Sequence, residues 1–391
     1  MNNFTFFSPT YFSFGKDTER KTGHYVKRFG GHKVLIHYGG GSAVKSGLLD
    51  RVKASLDAEG IPYVLLGGAQ PNPRAVLVYE GIELCRKEGV DFVVAVGGGS
   101  VIDSAKGIAL GVPYAGDFWH FYKNDVMVDT ALPVGIILTI PAAGSEGSPD
   151  SVVTHEDGML KRAAHGESLR PVFSILNPEL TFTLPAYQTA CGATDIMAHL
   201  MERYFTNTPE VEVTDRLCEA LLLTMIKEVP RVLENPSHYD ARANIVWTGM
   251  VAHNNICGVG RVQDWASHNI EHELSGLYDI AHGAGLAVIF PAWMRYVYKH
   301  DVDRFVRFAV NVWGCTLDEQ NPEATALEGI AKTKAFFASI GMPTSFAEID
   351  AKAEDIPFMV KQLYTDNGGD TVGNFVPLRP ADADAVFRLA L

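Results

Sequence analysis

The sequence of 391 residues lacks several features that define specialised protein classes. It has no apolar run long enough to span a bilayer, and no basic N-terminal segment followed by an apolar core, so we expect neither a membrane protein nor a signal peptide. The five cysteines are far apart and form no CxxC pair, which favours buried thiols in a reducing cytoplasm. The formal net charge of −13 argues against nucleic acid or an anionic membrane as the main partner.

What is present resembles an ordinary globular enzyme, with 47% hydrophobic and 20% charged residues. In the first half of the chain, short apolar strand-like runs alternate with amphipathic helix-like segments. This order predicts a parallel sheet covered by helices on both faces. From about Leu184 onward the sequence reads almost entirely as long helices. We therefore predict two domains, a nucleotide-binding domain at residues 1–184 and a helical domain at residues 185–391, with a ligand between them.

Two glycine-rich turns carry the nucleotide signal, because each follows a predicted strand and opens a predicted helix. Glycines allow close approach of the backbone to a phosphate, and the N–H groups and dipole of the helix start then bind the anion. Neither turn matches GxGxxG, and a single turn of this type serves packing as often as binding. The two turns consist of Gly39, Gly40, Gly41 and Ser42, and of Gly97, Gly98, Gly99 and Ser100.

Further candidate cofactor residues follow the second turn. Asp103 is interpreted either as a helix-start carboxylate or as a buttress of the glycine-rich turn or nicotinamide site. Lys106 is interpreted either as a solvated lysine or as a cation beside the phosphates. A loop of small and polar residues after a later strand is expected to lie under the nicotinamide and its ribose. Lys161 either makes a contact near the nicotinamide or lies at a solvated hairpin tip. The loop residues concerned are Thr139, Ala142, Gly144, Ser145 and Glu146.

Histidines and one aspartate predict a metal site in the second half. Asp195 and His199 are four residues apart, as are His268 and His272, so each pair shares one face of a helix. His282 follows shortly before a glycine. If these segments pack together, one carboxylate and two or three imidazoles converge, which suits Fe(II) or Zn(II). The alternative is a set of unrelated packed or surface histidines.

Four motifs together resemble the iron-containing (group III) alcohol dehydrogenases, over nearly the whole chain: GGGSVIDSAK, IPAAGSE, TLPAYQTACGATDIMAHLMERYF and SHNIEHELSGLYDIAHG. The butanol dehydrogenase-like, aldehyde-reducing branch is the most similar. The resemblance implies an α/β Rossmann-like N-terminal domain, an all-α C-terminal metal-binding domain and a homodimer. It also implies that His272 lies near the metal without binding it. The metal ligands implied by the resemblance are Asp195, His199, His268 and His282.

The expected reaction is hydride transfer between a nicotinamide and a small primary alcohol or aldehyde. Here the metal polarises the substrate oxygen, and the protein aligns the reactants and excludes water. His272 is the candidate proton donor, with a packing role as its alternative. Because the first turn has Ser42 and a nearby Lys45 in place of a carboxylate, NADP(H) is favoured over NAD(H).

Three rival functions remain open at this point. An enzyme of the same fold acting on a phosphate-bearing substrate, such as a glycerol-phosphate dehydrogenase or dehydroquinate synthase, would need more basic residues near the motifs. A metal hydrolase would leave the glycine-rich turns unexplained. A nucleotide-binding regulatory module would leave the Asp and His cluster unexplained.

Overall fold

The computed structural model describes residues 1–365 and 369–391. The chain forms two compact units. The sheet unit comprises Phe7–Leu184 and Pro236–Asn254, and the helical unit comprises Met1–Phe6, Pro185–Asn235 and Asn255–Leu391. The chain passes from the sheet unit to the helical unit between Leu184 and Pro185, which is the expected boundary. The division into domains 1–184 and 185–391 stays a prediction. It does not describe Met1–Phe6, which belongs to the helical unit, or Pro236–Asn254, which belongs to the sheet unit.

The sheet unit contains a six-stranded sheet in which all neighbouring strands are parallel. Its order is β1-β8-β5-β4-β2-β3, and β6 and β7 form a separate antiparallel hairpin. The strands are β1 Tyr11–Phe14, β2 Val34–Tyr38, β3 Tyr63–Leu66, β4 Phe92–Gly97, β5 Val134–Leu138, β6 Asp150–His155, β7 Leu160–His165 and β8 Phe173–Leu176.

Alternate residues of the central strands point to opposite faces of this sheet. Leu35 and Val93 belong to one apolar cluster, whereas Ile36 and Val94 belong to the other. Both faces are buried, which explains why the strands read as continuous apolar runs rich in β-branched residues. The parallel sheet covered on both faces is thereby confirmed.

Seven helices belong to the sheet unit, and four of them supply most of its helical core. Helices α4 and α5 pack on one face of the sheet, and α1 and α3 pack on the other. The seven helices are α1 Thr22–Arg28, α2 Ser42–Lys45, α3 Leu48–Ala58, α4 Ala75–Glu88, α5 Gly99–Gly111, α6 Trp119–Tyr122 and α9 Tyr239–His253.

The helical unit is built around two almost completely buried helices, α7 and α11. A helix that is apolar on most of its surface is covered on all sides, and the neighbours of these two helices supply that cover. Among the described residues, no helix is both long and apolar enough to cross a membrane. The helices are α7 Ala186–Tyr204, α8 Glu212–Glu234, α10 Ala266–Tyr278, α11 His282–Val297, α12 Val302–Trp313, α13 Pro322–Ser339, α14 Ile356–Thr365 and α15 Pro380–Leu389.

Candidate metal and nucleotide sites

Three helices of the helical unit bring the predicted metal residues together. Asp195 lies in the middle of α7, His268 lies in the first turn of α10, and His282 is the first residue of α11. Helix α11 packs against both α7 and α10. Only three residues separate the end of α10 from His282, so the chain returns at once toward the histidine face of α10.

The donor atoms of these three residues converge on one point. The Oδ1 atom of Asp195 is 3.7 Å from Nε2 of His268 and 3.7 Å from Nε2 of His282. All three donor atoms lie within 4.8 Å of one another. Asp195 and His268 are buried, and His282 is partly exposed. The grouping expected from sequence spacing is therefore present in the structure.

His199 lies one turn after Asp195 on α7 and borders the same cluster. Its ring centroid is 4.6 Å from that of His268. Its Nδ1 atom lies 2.9 Å from the backbone carbonyl of Asp195. Because a carbonyl only accepts hydrogen bonds, Nδ1 carries a hydrogen, and in the neutral ring Nε2 then holds the lone pair that a metal requires.

Two buried glutamates orient the histidines, and sequence reasoning had overlooked both. The Nδ1 atom of His268 is 2.9 Å from Oε1 of Glu202, and the Nδ1 atom of His282 contacts Oε2 of Glu271. In each imidazole, Nδ1 therefore contacts a glutamate and Nε2 points toward Asp195. Such carboxylate–histidine pairs fix the ring orientation and tautomer of metal ligands.

Glu202 also organises the start of α10. Its Oε2 atom accepts a hydrogen bond from the backbone N of Trp265 at 2.8 Å, and Oε1 accepts one from the backbone N of His268 at 3.0 Å. Trp265 precedes the helix with a φ of 70°, and its own side chain forms no cap. The glutamate of α7 thus accepts hydrogen bonds from N–H groups at the start of α10, where no carbonyl of the helix can reach them, and ties the two helices together.

The donor set fits a divalent cation. The Nε2 atom of His268 is buried and has no hydrogen-bond partner within residues 1–365 and 369–391. Burial acts to lower the pKa of His268, but Asp195 and Glu202 outweigh it and raise that pKa to about 9. The surroundings of this imidazole therefore favour a positive charge, and nitrogen and carboxylate donors suit Fe(II) and Zn(II) alike.

His272 lies beside this cluster. Its ring centroid is 5.5 Å from that of His282, and its donor atom forms a second group within 4.8 Å together with those of Glu271 and His282. Asp195 belongs to the first group only. His272 is partly exposed, so it lies at the border of the cluster that includes Asp195.

Close helix packing explains two glycines that follow His282. A Cβ atom on Gly283 would lie 2.1 Å from the backbone oxygen of Cys191 on α7, and one on Gly285 would lie 2.4 Å from Oε1 of Glu271. Only glycine permits α11 to approach its neighbours this closely. Gly283 therefore allows α11 to lie against α7, which carries Asp195, and Gly285 allows it to lie against α10, which carries Glu271.

In the sheet unit, the predicted nucleotide residues follow three adjacent parallel strands. Gly39, Gly40, Gly41 and Ser42 follow β2, Gly97 ends β4 and Gly98, Gly99 and Ser100 come next, and Thr139 follows β5. Carboxyl ends of neighbouring parallel strands share one edge of a sheet, where ligands of open α/β folds bind. The backbone N of Thr139 donates to the carbonyl of Gly97 at 2.9 Å, so the turn after β5 contacts the turn after β4.

Asp103 supports the loop after β5. Its Oδ1 atom accepts a hydrogen bond from Ser145 at 2.6 Å, and its Oδ2 atom accepts one from the backbone N of Val152 at 3.1 Å. Burial raises the pKa of Asp103 to about 6, although nearby Lys106 acts to lower it. Asp103 is thus a buried support of this loop, and its role at a nicotinamide site stays a prediction.

The surroundings of the Lys106 side chain match neither of its two interpretations. Its side chain is completely buried, and Nζ donates to Ser145 Oγ at 2.9 Å and to the carbonyls of Ser148 at 2.9 Å and Asp150 at 2.7 Å. The ammonium therefore uses its three hydrogens within the protein. It is neither solvated nor directed at a phosphate, because the polypeptide segment after β5 folds over it.

Lys161 lies within β7, opposite Thr154 of β6, and is 5% exposed. This burial excludes the interpretation as a solvated hairpin tip.

Ala142 is partly buried in the loop after β5. Lys45 folds back over the first turn, since a Cβ atom on Gly41 would lie 3.7 Å from its Nζ.

Comparison with known proteins identifies the family of the chain. The sequence profile of the iron-containing alcohol dehydrogenases matches residues 9–178, and the C-terminal profile of the Fe-containing alcohol dehydrogenase family matches residues 189–391. The chain belongs to the iron-containing alcohol dehydrogenase family. The expected resemblance and fold class are confirmed, and the protein is an NAD(P)-dependent alcohol dehydrogenase that interconverts alcohols and aldehydes.

Similar members of this family extend over the whole chain. The probable NADH-dependent butanol dehydrogenase 2 of Bacillus subtilis strain 168 is 41% identical, with all of both chains covered. The NADPH-dependent aldehyde reductase YqhD of Escherichia coli K12 is 36% identical over 93% of each chain. The crystal structure of NADH-dependent butanol dehydrogenase A from Thermotoga maritima superposes with a TM-score of 0.96 at 39% identity, covering 100% of this chain and 99% of that one. None of these relatives is named for a phosphate-bearing substrate or a hydrolase, so the rival functions are not favoured.

Proposed function

We propose that the protein reduces small aliphatic aldehydes with NADPH, and oxidises the corresponding primary alcohols, at a metal held by Asp195, His199, His268 and His282. The observation that carries this proposal is the convergence of Asp195 Oδ1 with two imidazole Nε2 atoms, each directed by a buried glutamate. Relatives named butanol dehydrogenase and aldehyde reductase support a substrate of about the size of butanal.

The protein's own residues have separate tasks in this reaction. A bound Fe(II) or Zn(II) ion supplies Lewis acidity toward the substrate oxygen. Glu202 and Glu271 hold the imidazoles in orientation, and the segment of Thr139, Ala142 and Ser145 lies against the nicotinamide together with Lys161. His272, partly exposed beside His282, delivers the proton that the product alcohol needs.

NADP(H) is the proposed cofactor, on the evidence of the turn after β2. Residues 38–45 contain no Asp or Glu that would repel the extra phosphate of NADP(H). Lys45 lies over Gly41 and offers a cation to that phosphate. The relatives include enzymes named for NADH, one named for NADPH and one named for NADP, and kinetics with both cofactors decides between them.

A homodimer is proposed from the edge of the sheet. β1 is an edge strand, and Tyr11 and Phe14 on it are 40% and 39% exposed. Trp247, 43% exposed, lies edge-on to Phe14 with ring centroids 5.8 Å apart. An uncovered strand edge beside exposed aromatic rings suits pairing with a second copy. Light scattering of Phe14→Asp should then report a monomer where the unmodified protein reports a dimer.

The function is tested by removing metal with a chelator, restoring Fe(II) or Zn(II), and following oxidation of NADPH or NADH with butanal. We expect activity only after metal is restored, and a higher kcat/KM with NADPH. Asp195→Asn, which keeps the shape of the side chain, should bind the metal more weakly and lose activity. Equal rates with and without metal would refute the metal-dependent mechanism, and a preference for NADH would refute the cofactor assignment alone.

A reducing, cytoplasmic setting is proposed from the five cysteines, all buried and free.

A further inference from the structure

The segment after β5, residues 142–150, is fixed from two sides by ionisable side chains of different helices. On one side, Lys106 of α5 donates to Ser145, Ser148 and Asp150, as described above. On the other side, His253 at the end of α9 lies with Nε2 3.0 Å from Oδ2 of Asp150. The two contacts reach the segment from parts of the chain that are distant in sequence.

His253 is held close to this segment by more than one contact. Gly144 has a φ of 62°, and a Cβ atom on it would lie 2.5 Å from Cβ of His253 and 2.7 Å from the carbonyl of Gly249. The backbone of the segment therefore lies directly on the last turn of α9. His253 is only 7% exposed, so its imidazole belongs to the interior of the sheet unit.

Asp150 connects the two sides. Its Oδ1 atom is 2.7 Å from Nδ1 of His165, its Oδ2 atom faces His253, and its carbonyl accepts from Lys106. Burial acts to raise the pKa of Asp150, but the hydrogen bonds from the two histidines outweigh it and lower that pKa strongly. An ionised carboxylate accepts stronger hydrogen bonds than a neutral group, so these contacts are rigid ones.

We propose that Lys106, Asp150 and His253 are positioning residues that hold segment 142–150 in the one conformation in which it supports the nicotinamide ring. This inference rests on the proposed function, because that function assigns Ala142 and Ser145 to the nicotinamide. None of the three side chains is required to touch the cofactor. Their effect reaches it through the backbone that they fix and through the Ser145 hydroxyl, which Lys106 and Asp103 orient.

A matched pair of substitutions tests the role of His253. Gln places its amide nitrogen near the position of Nε2, whereas the shorter Asn reaches only the position of Nδ1. His253→Asn should therefore lose the bond to Asp150 and weaken NADPH binding about tenfold, the range of one hydrogen bond to a charged group. His253→Gln should restore most of the affinity. Binding is measured by quenching of protein fluorescence with NADPH.

A cofactor fragment separates positioning from general damage to the sheet unit. Adenosine 2′,5′-bisphosphate contains the adenosine half of NADPH and lacks the nicotinamide. Its affinity should be the same in the unmodified protein, His253→Asn and His253→Gln. Equal weakening of the fragment and of NADPH, or unchanged NADPH binding by His253→Asn, would overturn the proposal. If the unmodified protein binds neither NADPH nor NADH, the proposed function itself fails instead.

Asp150→Asn provides a second variant should His253→Asn not fold. It keeps the backbone carbonyl that Lys106 uses and changes only the side chain that faces the two histidines. Because Asp150 also bonds His165, we expect at least the weakening of NADPH binding seen in His253→Asn. Adding His253→Asn to Asp150→Asn should cause no further loss, since the bond between the two residues is already changed. Losses that add in the double variant would show that the two residues act separately, which contradicts the proposal.

Discussion

Replacing Glu202 with Gln tests how far metal binding depends on a residue that touches no metal. Glu202 accepts three hydrogen bonds. Two come from His268, from Nδ1 at 2.9 Å and from the backbone N at 3.0 Å, and the third comes from the backbone N of Trp265 at 2.8 Å. A Gln amide keeps one oxygen. The favourable orientation leaves that oxygen on His268 and turns the NH2 group toward the N–H of Trp265.

Two effects follow, and they differ in size and in the measurement that detects them. The partly buried N–H of Trp265 loses its acceptor, which costs about 1 kcal/mol of folding free energy, the lower end of the range for an unpaired buried group. The His268 imidazole now donates to a neutral oxygen, and loss of such an orienting carboxylate weakens metal binding about 10–100-fold, or about 1.4–2.7 kcal/mol. The structure therefore predicts a less stable protein that also binds its metal distinctly more weakly.

The assay is competition for Zn(II) with a chromophoric chelator, combined with thermal unfolding. Glu234→Gln is the matched control, because it makes the same chemical change at an exposed position at the end of α8. The control should match the unmodified protein in both measurements. If Glu202→Gln unfolds at a lower temperature but binds Zn(II) within twofold of normal, Glu202 only caps α10, and the orienting role assigned to it is wrong.

Three further predictions follow from the same structure. The hydrogen bond from His165 to Asp150 raises the pKa of His165; NMR titration of its ring should show a midpoint above the ordinary 6.5, and Asp150→Asn should bring it down. This bond stabilises the fold below the ordinary histidine pKa, and its contribution is lost as the pH rises through the raised value. Gly283→Ala forces a methyl group against the carbonyl of Cys191 and should cost about 1–3 kcal/mol in chemical denaturation, together with metal affinity; unchanged stability would contradict the packing argument. His272→Ala should slow turnover and leave the metal content of the purified protein unchanged, whereas loss of metal would make His272 a ligand.

Sequence patterns predicted the sheet and its covered faces because a short, continuous apolar run indicates a strand that is buried on both faces. The residues of β2 and β4 alternate between the two apolar clusters, which is why both faces of these strands are apolar. Strand order could not be read in the same way. β1 pairs with β8, some 160 residues later, and both strands have four residues only. Nothing local in so short a strand specifies such a distant neighbour.

At the metal site, spacing found the residues that share a helix face but not those that support them. Glu202 is seven residues after Asp195, two turns along α7, and Glu271 is three residues after His268 on α10. Both spacings place a carboxylate near the face that holds the ligands. A search of those faces for a second layer of acidic residues would have identified both glutamates.

Lys106 and His253 show the limit of local reasoning more clearly. A lysine within a helix is usually solvated, and an isolated histidine at a helix end is usually a surface residue. Here three acceptors on residues 39 to 44 positions away cover the lysine, and the carboxylate that binds the histidine lies 103 positions before it. Their burial is created by the path of one irregular segment between two helices, and that path has no periodic pattern. Buried ionisable residues of the sheet unit are therefore best judged by which backbone segment covers them, since the covering segment indicates what they hold in place.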